Sequence, residues 1–531
     1  MNNSSNPADR SFFSPNYRGA GVLLSVTSLP SSYGIGDFGS EARDWIDRLQ
    51  AAGQSWWQIL PLGPTGYGNS PYQPLSSFAV DWLLISPDDL VADGLLHKTD
   101  LSGMSFTESA VDFDAVRLFK QRLLEIVGSH FSERAASELK HAFETFCQEQ
   151  KDWLDDYALF QALKDRHHGA CYLEWPTEVV HRNPATLVKA RQELANEMDQ
   201  VRLAQFLVFR QLKRIKEYAH DRGVSFIGDL PFFVSPDSSD VWANPELFLL
   251  DDELRPRFVA GVPPDYFSDK GQFWGNPVYD WDALRQTGYR WCIDRIRALL
   301  AHVDLIRLDH FRGFAAAWHI PNGAPNARAG QWVPGPGHDF FSAVQNELGS
   351  LPLIAEDLGI ITPDVTMLRD EFHLPGMRVL QFAFDGNSEN PYLPHNYVSN
   401  TVVFTGTHDN NTTRGWYESL TKDQRKVVCE SLQRPILKSR EISAVLLDLA
   451  WSSVATLAVT PLQDVLNLRA NARMNVPGRA GGNWRWRCTA DMLFDPAFTW
   501  LRELTTNTNR LPVIQSVDKV STNSEDLNEG S

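Results

Sequence analysis

Four acidic residues stand where apolar runs end. In DLIRLDHFRGF, Arg307 and Asp309 are two positions apart, so in an extended segment they point to the same side, a cation beside an acid. In LPLIAEDLGI, Glu356 follows apolar and small residues; in VVFTGTHDNNTT, Asp409 follows Thr405 and Thr407 at spacing two, with His408 adjacent. Asp229 closes VSFIGDL. One such carboxylate is about as often a helix cap or an ion-pair partner as a chemical group. Four of them, two beside a histidine (His310 and His408), call for a chemical explanation. Two acids flanking one bond with a third nearby is what glycosidic chemistry requires: a carboxylate about 5–5.5 Å from a carboxylic acid forms a glycosyl ester while the acid protonates the departing oxygen. Environment divides the labour. Arg307 favours the ionised form of Asp309, which suits a nucleophile. Glu356, emerging from an apolar run near other acids, should hold its proton, which suits a general acid. Asp409 can then accept hydrogen bonds from ring hydroxyls as the sugar flattens, and His310 and His408 can clamp the same ring.

These acids need elements that bring them together. Eight short apolar or alternating runs recur between helical patterns: 21–28, 55–62, 224–230, 303–308, 351–356, 377–384, 401–407 and 454–460. Eight buried strands separated by helices predict an α/β chain folded as a (β/α)8 TIM barrel, in which chemistry gathers at the C-terminal strand ends. A doubly wound open sheet fits the same alternation, but no G-x-G-x-x-G follows the first run. The spacing is uneven. Residues 88–199 are helical and charged over far more than one crossover helix, which predicts an inserted helical subdomain. Residues 232–280, rich in Pro, Gly, Trp and Phe, predict a loop-rich layer over the active site. The barrel is expected to span 11–515, between disordered ends at 1–10 and 516–531.

Composition narrows the partners. The 531 residues are 43% hydrophobic and 22% charged, ordinary for a globular chain, and 49 basic against 66 acidic residues leave a net charge of −17. Such a field disfavours nucleic acid. Seventeen Trp, 30 Phe and 13 Tyr beside carboxylates suit neutral sugars. The five cysteines are scattered, with no C-x-x-C pair, which fits a reducing compartment, and the polar first 13 residues lack a secretory signal; a cytoplasmic protein is expected. Residues 442–460 are the nearest approach to a membrane span but carry Asp448, Ser and Thr, so a helix followed by a strand is expected, and no membrane partner. His167, His168 and Cys171 lack a fourth ligand and read as a surface turn; no metal or other cofactor is expected. Esterase, zinc-protease and P-loop signatures are missing.

Longer motifs carry a family resemblance from Gly21 to Arg487: GVLLSVTSLPSSYGIGDFG, SWWQILPLGPTGYGNSPYQ, GDLPFFVSPDSSDVWANPELF, GVPPDYFSDKGQFWGNPVYDW, RLDHFRGF, AEDLGI, TGTHDN, ARMNVPG and GNWRWR. The sequence resembles the 4-alpha-glucanotransferases of glycoside hydrolase family 77, the amylomaltases or disproportionating enzymes of the alpha-amylase clan. The resemblance implies Asp309 as nucleophile, Glu356 as acid/base and Asp409 as transition-state stabiliser. It implies Asp229, Arg307, His310 and His408 as the donor-sugar shell, and Tyr72 and Trp274 as glucan-binding rings. The implied partners are alpha-1,4-glucans, starch-like chains and maltooligosaccharides. Two positions depart from the family pattern: Val80-Asp81-Trp82 follows S-S-F-A where Asn-Pro is expected, and Asp-Asn-Asn follows His408 in place of Asp-Asn-Asp.

The same acids serve water or a sugar hydroxyl as the second nucleophile, so a retaining hydrolase and a non-catalytic glucan-binding protein are the competing readings. Phe267, Phe273, Trp274 and Tyr279 have the aromatic content to cover an acceptor sugar and keep water out, and the resemblance favours transfer. Trp56, Trp57, Tyr67 and Tyr72 fit an extended glucan groove, with one of the two tryptophans expected in the core.

Overall fold

The computed structural model describes residues 13–14, 16–264, 269–479 and 481–512. The expected disordered ends, 1–10 and 516–531, and Phe267 lie outside the described residues, as does the side chain of Tyr67. Eight parallel strands close a barrel in chain order: β1 (Gly19–Leu23), β2 (Trp56–Gln58), β3 (Ser225–Leu230), β4 (Leu305–Leu308), β5 (Leu353–Ala355), β6 (Gly376–Val379), β7 (Thr401–Phe404) and β8 (Leu457–Pro461), with β8 pairing back onto β1. Each overlaps one of the eight runs read from the sequence. The runs overshoot some strands because apolar residues continue into short 3-10 turns, Val26–Ser28 after β1 and Leu380–Phe382 after β6.

Both faces of the sheet are buried, and strand alternation sorts the side chains. Leu23, Trp56, Ile227, Leu305, Ile354, Val379, Val402, Phe404, Leu457 and Val459 form one cluster, the packed interior of the barrel. Their neighbours along the strands, Val22, Trp57, Phe226, Ile306, Leu353, Val403 and Ala458, pack against the surrounding helices. Each such aliphatic side chain contributes roughly 1.5–3 kcal/mol relative to exposure. Adjacent strand residues point to opposite faces, so Trp56 and Trp57 are both buried, one inside the barrel and one under the helices. Trp57 donates Nε1–H to Leu24 O and Trp56 to the Tyr17 hydroxyl. Neither lines a groove, contrary to the expectation that one of them would.

Between β2 and β3 the chain runs through the helices Phe113–Arg134, Ser137–Glu149, Lys151–Arg166 and Pro184–Glu193 into Ala195–His220. That last helix contains no Gly or Pro and passes through position 199 without a break, so the boundary expected there falls inside one helix. Lys120, almost wholly buried, fastens this region to the barrel by donating to Leu83 O (2.6 Å) and Ile85 O (2.8 Å), with Asp37 3.4 Å away. The 232–280 segment is not all loop. Phe258–Val262 and Gln272–Pro277 join Ala316–Pro321 and Gln331–Pro334 in a four-stranded antiparallel sheet. Two of the partners lie beyond β4 in sequence, out of reach of a local pattern. Residues 442–460 fold as the helix Ile442–Ser452 followed by β8; among the described residues no helix is long and apolar enough to cross a membrane.

Candidate active site

The inward-facing positions of the strands, followed to their C-terminal ends, lead directly to the acids. On β3 the interior series runs from Ile227 to Asp229; on β4 from Leu305 to Arg307 and, just past the strand, Asp309; beyond β5 from Ile354 to Glu356. Asp229 is in register with Arg307, and Arg307 with Ile354, so these side chains are neighbours on one face. Asp309 N–H donates to Leu230 O and Glu356 N–H to Leu308 O, extending the ladder one residue beyond the strands and fixing both acids at the mouth.

Arg307 is buried and its Nη1 holds three carboxylate contacts, at 2.8 and 2.9 Å to Asp229 and 3.0 Å to Asp309. Its Nε finds no hydrogen-bond partner among the described residues. Burial pushes the Asp229 carboxyl up, while Arg307 opposes this. Glu356 accepts from the amides of His310 (2.8 Å) and Leu358 (3.1 Å). Burial, with the nearby Asp309 charge, nevertheless pushes it up to about 8 against the pull of Arg307 and the two amides. A carboxylic acid at neutral pH therefore sits beside a carboxylate ion-paired to arginine, the protonation pattern of an acid and a nucleophile.

The third acid comes from the loop after β7. Asp409 accepts from Asn475 Nδ2 at 2.6 Å and lies 3.3 Å from His408 Nε2. Burial would raise its carboxyl, but His408, Asn475 and Arg307 together hold it well below the usual range. The same contact raises His408, which burial alone would lower. Tyr72 donates its hydroxyl proton to Asp229 Oδ2 at 2.8 Å, and the Tyr72 oxygen lies 3.2 Å from Nδ1 of His408. The His408 ring stacks on Tyr72 at 4.8 Å, and Trp484 closes the group at 5.8 Å from Tyr72.

His310 is of the other kind. Burial lowers it to about 4, so it is neutral, and its Nε2 has no hydrogen-bond partner among the described residues. It adopts φ 49°, the left-handed region, which aims its amide at Glu356. Trp274 packs edge-on against its ring at 4.9 Å, beside Phe232 and Phe233. The structure thus gathers Asp309, Glu356, Asp409, Asp229, Arg307, His310, His408, Tyr72 and Trp274 at one mouth. Phe273, next to Trp274, is exposed, whereas Tyr279 is buried, donating to Phe232 O. His167 packs on Trp175, away from this group, and among the described residues no cluster of His, Cys, Asp or Glu could hold a metal. Sequence reasoning missed Asn475 and Arg473, whose Nη2 donates to Asp409 O at 2.8 Å. Both lie in ARMNVPG, a motif with chemistry-bearing side chains but no strand to give it a direction.

By fold and site this is a (β/α)8 barrel of the kind that works with carboxylates at its C-terminal mouth. More narrowly, the chain belongs to glycoside hydrolase family 77: the family model described as 4-alpha-glucanotransferase matches residues 24–492. It is 48% identical over 482 residues to the 4-alpha-glucanotransferase of Synechocystis, covering 90% of this chain and 95% of the relative. Identity to that of Thermus thermophilus is 46% over 499 residues, 93% of this chain and 99% of the relative. The solved amylomaltase from Streptococcus agalactiae in complex with acarbose superposes with a TM-score of 0.90 at 37% identity, covering 93% of this chain and all of the other. The fold and the family read from the sequence both hold.

Proposed function

We propose that this chain transfers alpha-1,4-glucan segments from donor to acceptor maltooligosaccharides or starch-like glucans, with retention, through a covalent glycosyl-aspartate intermediate. The carboxylate of Asp309 attacks the anomeric carbon while Glu356 gives its proton to the departing oxygen, so one C–O bond forms as the other breaks. Glu356, now a carboxylate, takes the proton of an acceptor hydroxyl, which opens the ester and restores both acids. Asp409 accepts hydrogen bonds that strengthen as the ring flattens, held for that task by His408 and Asn475. Asp229, Arg307, His310, His408 and Tyr72 bind the donor sugar, and Trp274 with Phe273 offers aromatic surface to glucan. The observation that carries this reading is the split state of two adjacent acids: Asp309 ion-paired to Arg307 at 3.0 Å, and Glu356 pushed up to about 8.

Transfer in preference to hydrolysis rests on family membership. We read 88–199 as a helical unit buttressing the barrel and 232–280 as cover over its mouth, and the five free cysteines support a cytoplasmic setting. Incubation with pure maltotriose tests the reaction. A transferase yields glucose and a ladder of longer chains with nearly constant reducing ends; a steady rise in reducing ends means a hydrolase, and no glucose at all means a binding protein.

A further inference from the structure

Asp464 lies on the short helix Leu462–Val465 that follows β8, is almost wholly buried and touches none of the sugar-shell residues named above. Its Oδ2 accepts from Thr405 Oγ1 at 2.7 Å and Thr413 Oγ1 at 2.6 Å, and its Oδ1 from the Thr413 amide at 2.7 Å. Thr405 also meets Thr460 Oγ1 at 2.8 Å, and Thr405, Thr413 and Thr460 are fully buried. Thr405 and Thr413 bracket the loop that carries His408 and Asp409, so a single carboxylate ties both ends of that loop to β8. The adjacent Gln463 donates to Ala472 O at 3.2 Å and holds the stretch from which Arg473 and Asn475 grip Asp409. Nothing in the reaction itself requires an acid at 464. A buried carboxylate costs desolvation unless its donors satisfy it, and these three donors all belong to the ends of one functional loop.

We infer that Asp464 is a positioning residue: it sets the loop 405–413 against the 470–475 stretch so that the Asp409 carboxylate meets the sugar as it flattens. This rests on the reading of Asp409 as transition-state stabiliser. A displacement of about 1 Å at such a group costs roughly 100-fold in rate, so Asp464→Ala is expected to lower kcat for maltotriose disproportionation by about 100-fold with KM within about twofold. Asp464→Asn, which keeps an acceptor for the Thr413 amide, should recover most of the loss. The decisive measurement is the double variant. If Asp464 acts through Asp409, adding Asp464→Ala to Asp409→Asn costs less than about threefold more. Rates are taken per correctly folded molecule, with circular dichroism and melting as controls. Should Asp464→Ala not fold, Thr405→Val, which removes the bonds to Asp464 and Thr460 at nearly constant shape, enters the same cycle in its place. Additive losses in the cycle, or an unchanged kcat for the single variant, overturn the positioning role alone. An Asp409→Asn enzyme with intact turnover instead removes the stabiliser reading on which it depends.

Discussion

Arg510, at the N-terminal end of the barrel, and Arg307, at the C-terminal mouth, are both buried, in opposite company. Arg510 spends Nε, Nη1 and Nη2 on the carbonyls of Trp451, Gly19, Ser453 and Ala455, at 2.7–3.0 Å, sewing the start of β1 to the approach to β8. Among the described residues it touches no carboxylate, and none of its nitrogens is left without a partner. Arg307 crowds three carboxylate contacts onto one nitrogen and leaves Nε without a partner among the described residues. Burial holds the proton on Glu356, and the Asp309 charge adds to it where one guanidinium faces several acids. Satisfied dipoles at the floor stabilise the barrel; incompletely neutralised charge at the mouth is what the proposed mechanism uses. The two ends should therefore respond to substitution in opposite ways, with activity lost first at one and stability first at the other.

The largest effect is expected at the nucleophile. Asp309→Asn should lower transfer by about 10⁴-fold or more with maltotriose and with alpha-glucosyl fluoride alike, since no ester can form, while its melting temperature stays at or above that of the parent. Glu356→Gln should lose about 10²–10⁴-fold with maltotriose but still be glycosylated by the fluoride, whose departure needs little protonation. Equal responses of both variants to the fluoride would refute the division of roles. The arginines come next. Arg510→Leu strands carbonyls at the floor and should cost about 3 kcal/mol of unfolding free energy in urea, with kcat per folded molecule unchanged. Arg307→Leu should abolish turnover as well as destabilise, because it leaves Asp229 and Asp309 without their cation. A floor variant that lost turnover while keeping its stability would erase the contrast between the ends.

The barrel was legible because its signal is local: each strand is a short apolar run, and four of the eight lead at their ends to an acid, so Asp229, Asp309, Glu356 and Asp409 could be found without knowing which strands are neighbours. Register did the rest, since Asp229 and Arg307 meet only because β3 pairs with β4 in that alignment. What stayed hidden depends on contacts distant in sequence and lacks periodicity. Asn475 reaches Asp409 from a loop 66 positions away, and the strand at 258–262 pairs not only with 272–277 but also with 316–321, beyond β4 in sequence. Trp56 and Trp57 misled for a different reason: aromatic content suggests sugar, but a strand buried on both faces absorbs two tryptophans as core.

The smallest effect, and the one most specific to the mouth, is the dependence of stability on pH. Glu356 binds its proton more tightly folded, at about 8, than unfolded, near 4.5. Between those values the unfolded chain has released a proton that the folded chain retains, so stability falls as pH rises through the window and levels off above about 8. Asp37, Asp81 and Asp240 are likewise raised by burial, each to about 6, and their contributions fade by that pH. Buried His302, His310 and His319, each lowered to about 4, take up protons only when unfolded and so raise stability with pH up to about 7, opposite to Glu356 and the raised His408. The Glu356 contribution is therefore read as a difference: from about pH 6 to 8 the urea midpoint of the parent should fall relative to that of Glu356→Gln, which removes the titrating acid and leaves every histidine in place. Turnover on maltotriose should fall through the same upper limit as the proton is lost, while glycosylation by the fluoride stays level. Parallel stability slopes in the two proteins would mean that Glu356 is already ionised at neutral pH, and the mouth would then carry no proton to give.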